Sequence, residues 1–204
     1  MFDLLLGDCR LAEALRQVPE PEFGVLPANI DLTAAEIHLM QMDHKENRLS
    51  MALAATRDTH DYVLIDCPPS LSMLTVNALV AADSVLVPMQ CEYYALEGLS
   101  ALMDTLKQIR GSVNERLQLE GLLRTMYDGR SRLTREVAEQ LQTHFGERVF
   151  ETIIPRNVRL AEAPSYGVPA LLYDKRSAGA LSYMKLAREL NNKVQQAADL
   201  QESA

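Results

Sequence analysis

Asp61-Tyr62-Val63-Leu64-Ile65-Asp66-Cys67-Pro68-Pro69-Ser70 joins four consecutive apolar residues to an acid and a pair of prolines. Such a run without alternation predicts a strand covered on both faces, as in a parallel sheet. The acid at its end is placed where open α/β sheets hold ligands, outside the carboxyl ends of the strands. Asp66 therefore reads two ways. It is the aspartate that helps hold Mg²⁺ on nucleotide phosphates in a P-loop NTPase, or it caps the turn that Pro68-Pro69 opens. The two prolines force a stiff, extended exit in either case.

Outward from this point, elements alternate. Toward the N-terminus, helices are predicted over Leu11 to Gln17, from near Leu32 and over Asn47 to Arg57. The second takes its start from the capping-box spacing Thr33-Ala34-Ala35-Glu36, and a short strand is predicted over Phe23 to Pro27. Toward the C-terminus the order is helix (Ser72 to Ala81), strand (Ser84 to Pro88), helix (Ala95 to Ile109) and strand (Leu117 to Met126). A helix (Arg132 to Phe145) and a strand (Val149 to Ile154) follow, then an irregular stretch with Pro155, Pro164, Gly167 and Pro169, then a helix from Ser177 to about Ala198. This alternation predicts an α/β fold, a doubly wound, mostly parallel sheet with helices on both faces. One domain over residues 1–198 is expected, with a frayed tail at 199–204.

Composition limits the function. With 204 residues, 48% apolar and 24% charged, the chain falls in the ordinary globular range. No run of about 18 apolar residues predicts a membrane span. Met1 to Asp8 carries acid where an export signal needs base. Cys9, Cys67 and Cys91 are too scattered for a disulfide framework or a zinc site and suit a reduced cytoplasm. The net charge of -8 is uneven, because residues 1–109 hold 6 Lys+Arg against 16 Asp+Glu while residues 110–188 hold 13 against 9. Eleven of those 13 bases are arginine, whose fork suits phosphate oxygens. The excess reads as a solvated surface or as a nucleic-acid face, since local potential decides binding. Met40, Met42, Met51, Met73 and Met103 read as core filler, and Tyr93-Tyr94 as a packed helix start or a dimer surface rather than a base-stacking platform.

The stretch Asp61 to Ser70, continued by Leu74-Thr75-Val76-Asn77-Ala78-Leu79, resembles the Walker B and switch II region of the ParA/Soj/MinD ATPases. Ala82-Asp83-Ser84-Val85-Leu86-Val87-Pro88-Met89-Gln90-Cys91-Glu92-Tyr93-Tyr94-Ala95-Leu96-Glu97-Gly98 is similar to the chromosomal Soj/ParA branch. So are Thr125-Met126-Tyr127-Asp128 and Ile154-Pro155-Arg156-Asn157-Val158-Arg159-Leu160-Ala161-Glu162-Ala163-Pro164-Ser165. The likeness runs from about Phe2 to Leu190. It implies a partitioning ATPase with ATP and Mg as cofactors, an ATP-joined homodimer that binds DNA without sequence preference, and hydrolysis stimulated by a ParB/Spo0J-like partner. The expected location is the cytoplasm, at the nucleoid. It gives Asp66 a water-mediated Mg role and places Pro155, Arg156 and Asn157 near the adenine base. Asp128 and Arg130 approach the nucleotide or the dimer partner, or pair with each other. Arg132, Arg135, Arg159, Lys175 and Arg176 are the expected DNA contacts, through phosphates only.

The chain departs from that pattern in one respect. Nine glycines include no Gly-x-x-x-x-Gly-Lys-Ser/Thr, and the family's switch I aspartate has no counterpart. Met1 aligns inside the domain, so the resemblance implies an N-terminally truncated copy lacking the first strand and P-loop. Without amides to cradle phosphates, this polypeptide is expected neither to bind ATP tightly nor to hydrolyse it. The alternatives are a MinD-like membrane-cycling ATPase, against which the polar Asn191-to-Asp199 segment with its single Lys argues, and a pseudo-ATPase fragment acting only by protein contacts. An iron–sulfur reductase of the nitrogenase iron-protein type is disfavoured by the placement of Cys67 and Cys91.

Overall fold

The computed structural model describes residues 1–202 except Pro21, Arg57, Asp58 and Pro69, with side chains through Gln196. In order, the elements are α1 (Phe2–Leu6), α2 (Leu11–Ala14), β1 (Arg16–Pro19), β2 (Glu22–Val25), α3 (Leu32–Leu39), α4 (Arg48–Leu53) and α5 (Met73–Ala81). Then come β3 (Ser84–Gln90), α6 (Ala95–Ser112), β4 (Gln118–Tyr127), α7 (Arg132–Phe145), β5 (Val149–Pro155), α8 (Val158–Glu162), α9 (Ala170–Tyr173) and α10 (Ala178–Glu202). They form two compact units, Met1–Ser84 with Thr105–Gln118, and Val85–Asp104 with Leu119–Ala204.

The second unit holds the sheet, in the order β3-β4-β5. β4 and β5 run parallel, with Leu122 opposite Val149 and Tyr127 opposite Pro155. Consecutive residues of each strand face opposite layers. Val87, Leu122 and Val149 meet Leu99 of α6 and Val137, Ala138 and Leu141 of α7. Leu86, Leu123 and Phe150 meet Leu186 and Leu190 of α10. Helices thus cover both faces, and the α/β reading of the alternating sequence holds. Gly121 of β4 lies hard against Phe150 and the Arg148 backbone. A Cβ there would lie 2.6 Å from the Phe150 ring and 2.9 Å from the Arg148 carbonyl, so only glycine fits.

In the first unit, α1, α3, α4 and α5 gather around Leu5, Leu39, Leu49 and Ala78. Buried polar groups are answered there, as burial demands. The Asn77 side chain accepts from Leu49 N–H at 3.1 Å and donates to the Lys45 and Met73 carbonyls. Arg48 donates to the Leu5 and Leu6 carbonyls at 2.8 and 2.9 Å, closing the C-terminal end of α1.

Several predicted elements are corrected. Tyr62 to Ile65 carries no regular secondary structure and joins no ladder among the described residues, and Leu64 is 92% exposed. A strand needs a laddered neighbour as well as strand-forming residues, and apolar composition alone does not provide one. Leu11 to Gln17 is not one helix. The backbone turns extended at Leu15, and Arg16–Pro19 pairs antiparallel with Glu22–Val25. The capping box at Thr33-Glu36 does not form, because α3 already begins at Leu32. α4 ends at Leu53 in a 3-10 turn over Ala54–Thr56, and Arg57 lies outside the described residues. The last helix runs from Ala178 to Glu202, beyond the Ala198 end read from the sequence. Met40 and Met51 are exposed, while Met42 and Met73 do pack against the first unit's core.

Candidate functional site

The carboxyl ends of β3, β4 and β5 open into a cleft of about 740 Å³ in the second unit. Met89 and Gln90 line it from β3, Tyr93 and Tyr94 from the turn into α6, Met126 and Asp128 from the end of β4. Thr134 from the first turn of α7 and Arg156 just past β5 complete it. A parallel sheet puts its ligand crevice at this edge. Two hydrogen bonds fix the rim: Arg156 N–H donates to the Tyr127 carbonyl at 3.2 Å, and the Thr125 hydroxyl donates to the Met89 carbonyl at 3.2 Å.

Met126 is the strained point. Its φ is 51°, in the left-handed region that a non-glycine residue rarely adopts. It lies where the β4–β5 register shifts between Arg124 and Tyr127, so a bulge re-aims the strand end into the cleft. Nothing in composition or periodicity marks that conformation, and sequence reading missed Met126. It also missed Tyr93 and Tyr94 as cleft residues, although their adjacency at a strand exit was visible. The two rings form a T-shaped pair at 5.0 Å.

Asp128 and Arg130 pair with each other. Arg130 Nε donates to Oδ1 at 2.9 Å and Nη2 to Oδ2 at 2.8 Å. Hydrogen bonds from the Arg130 side chain and backbone lower the Asp128 carboxyl to about 2, with Arg156 adding a smaller pull. The rim thus holds a carboxylate matched by a guanidinium fork.

The other predicted residues are spread along the same unit. Ser131 caps α7 by accepting from Thr134 N–H, which sets Arg132 and Arg135 on its first turn. Arg132 pairs with Glu136 at 2.7 Å, and Arg135 donates to the Gly129 carbonyl at 2.7 Å. Asn157 caps α8 by accepting from Arg159 N–H at 3.0 Å. Arg159 lies between two acids, 2.8 Å from Glu162 and 3.6 Å from Asp174. Glu162 also accepts from the Tyr173 hydroxyl at 3.1 Å, so Arg159 sits inside a small network. Lys175 and Arg176 are exposed just before α10. Pro155 ends β5 beside Arg156.

Asp66 belongs to the first unit, exposed just past Tyr62 to Ile65. Among the described residues no three His, Cys, Asp or Glu side chains converge as a metal site. The sequence also offers no glycine-rich turn to cradle phosphates. A single solvated carboxylate does not fit a Mg-triphosphate on its own. Cys67 beside it and Cys91 in the other unit both have thiols pushed up, first by burial.

Residues 1–119 match the AAA_31 family, an AAA domain. An uncharacterized protein of Pseudomonas putida is 60% identical over 93% of this chain and 72% of its own length. Chromosome partitioning protein ParA of Caulobacter vibrioides is 50% identical over the same shares. Among solved structures, cobyrinic acid a,c-diamide synthase of Mycobacterium smegmatis with bound ATP analog and magnesium superposes with a TM-score of 0.80. It is 35% identical, over 96% of this chain and 72% of that one. The strand-end cleft, the parallel sheet and these relatives agree: the chain belongs to the ParA/Soj family of chromosome-partitioning ATPases.

Proposed function

We propose that this polypeptide carries the DNA-facing and base-facing parts of a partitioning ATPase without the means to turn ATP over. The observation that carries the reading is the set of arginines around one strand-end cleft. Arg156 stands on its rim, Arg130 is paired to the lining Asp128, and Arg132 and Arg135 lie on the helical turn beside it. Arg159, Lys175 and Arg176 extend the basic set along the chain. The ion pairs of Arg130, Arg132 and Arg159 are exposed and screened by water and salt, so they hold their partners weakly. Polyanion phosphates can therefore compete for these forks at low salt. Such contacts read no base edge, which suits binding without sequence preference.

On this reading Tyr93, Tyr94, Met126 and Arg156 form the wall against which a planar base rests, with Pro155 and Asn157 setting the loop. Asp66 is the remaining carboxylate of a Mg site whose phosphate cradle this sequence does not encode. A homodimer and a ParB/Spo0J-like partner complete the cycle in the family, at the nucleoid. The test has two arms. Incubating the pure protein with Mg-ATP should release no phosphate above the buffer blank, and turnover abolished by Asp66→Asn would refute the reading. Binding to duplexes of unrelated sequence should be equal and fall steeply with salt. Arg135→Glu with Arg159→Glu should flatten that salt dependence while leaving the melting curve in place. A membrane-cycling role would instead show as sedimentation with anionic liposomes, which the polar end of α10 disfavours.

A further inference from the structure

Three arginines of the basic set are ion-paired, and one of them is paired differently. Arg130 and Arg132 each meet a single acid, with 91% and 87% of their side chains exposed. The Arg159 side chain is 47% exposed and meets two acids from two places in the chain. Its Nη1 donates to Glu162 Oε2 of α8 at 2.8 Å, and its Nε lies 3.6 Å from Asp174 Oδ2, just past α9. Both acids are themselves held. Glu162 Oε2 also accepts from the Tyr173 hydroxyl at 3.1 Å, and the Tyr173 ring packs on Tyr166 at 4.9 Å. Asp174 Oδ1 accepts from Arg176 N–H at 3.1 Å. Hydrogen bonds from Arg159 and Tyr173 keep the Glu162 carboxyl below its ordinary value. Two of the three guanidinium nitrogens are thus directed at fixed carboxylates.

The fork is not what holds this corner together. Leu160 of α8 sits so close to α10 that a Cβ on Gly179 would fall 2.5 Å from its Cγ. Ala163, just past α8, is buried. Apolar packing fixes the turn, while the acids fix the arginine. Exposed ion pairs contribute little to stability, so the effect of this cluster falls on what Arg159 can bind.

We propose that Glu162 and Asp174 are a brake on DNA binding. A phosphate that engages Arg159 must displace the Glu162 carboxylate, which then stays beside it as an unpaired like charge. This rests on the DNA-facing reading of the basic set and names what limits that face. The loop after β5 then has two opposed parts: Arg159 draws a polyanion, and the acids beside it make the contact readily reversible. Removing an acid releases the fork and strengthens binding, most at low salt, where charges reach furthest.

Duplex DNA of arbitrary sequence titrated against the full chain tests this, at about 50 and 200 mM salt. Glu162→Gln keeps an acceptor for the Tyr173 hydroxyl and deletes the charge. It should bind roughly threefold tighter at the lower salt, with the advantage shrinking at the higher and the thermal melt unmoved. Asp174→Asn should act in the same direction and more weakly, because its oxygen lies farther from the fork. In an Arg159→Ala background the gain from Glu162→Gln should largely vanish, which simple loss of a surface acid would not produce. A gain of the same size without Arg159 overturns the proposal. Parent-like binding by both acid variants overturns it too, and leaves the DNA face standing. If Glu162→Gln lowers the melt, Asp174→Asn carries the test alone. Failure of the parent and every variant to bind any duplex would remove the DNA face itself, and the brake with it.

Discussion

Two glycines and one acid carry the sharpest consequences of single side chains. Gly98 lies inside α6 with nothing within 4 Å of where a Cβ would sit. Gly98→Ala should therefore stabilise the protein by up to about 1 kcal/mol, the helix-propensity difference, visible as a higher urea midpoint. Gly121→Ala should do the reverse. Its methyl group would have to displace the wholly buried Phe150 ring and the Arg148 backbone, at a cost of about 1–3 kcal/mol. Equal midpoints for the two variants would mean the β4–β5 contact is wrong. Asp128 should act through charge rather than stability. Asp128→Asn releases Arg130 and leaves Arg156 without its nearby acid, so duplex DNA should bind more tightly at low salt. The gain should vanish as salt rises. An unchanged affinity would remove the cleft rim from the DNA face.

Among the elements, α10 is tied to β5 by Glu189, and that tie responds to pH. Burial alone would raise the Glu189 carboxyl, but hydrogen bonds from Thr152 and Glu151, with Lys193 nearby, hold it below its ordinary value of 4.5. A carboxyl lowered by folding stabilises the native state above its unfolded value, and that contribution is lost as acid carries the pH down through the folded value. The parent should thus lose its advantage over Glu189→Gln as pH falls below about 4.5, measured by urea unfolding at each pH. A gap that widened in acid would contradict the geometry. The same scale shows what a sequence can and cannot disclose. Arg132 to Phe145 was legible as a helix and the apolar residues of β3, β4 and β5 as strands, because periodicity and burial are written locally. Tyr62 to Ile65 carries the same apolar signature yet joins no ladder among the described residues, since pairing depends on a neighbour and not on the residues themselves. The β1–β2 hairpin went unseen for the complementary reason. Leu11 to Gln17 has helical periodicity, and only the partner strand Glu22–Val25 pulls its second half extended. Asp128 and Arg130 were legible as a motif, whereas the left-handed Met126 that re-aims the strand end beside them is a matter of register.

For the molecule as a whole, the β5 border of the sheet is fastened by Glu189, whose carboxylate takes the Glu151 and Thr152 amides. Glu189→Ala would release both amides to pair with other chains, so concentrated samples of that variant should bind amyloid dyes while the parent stays clear. One glutamate on the final helix would thus separate a quiet border from an adhesive one.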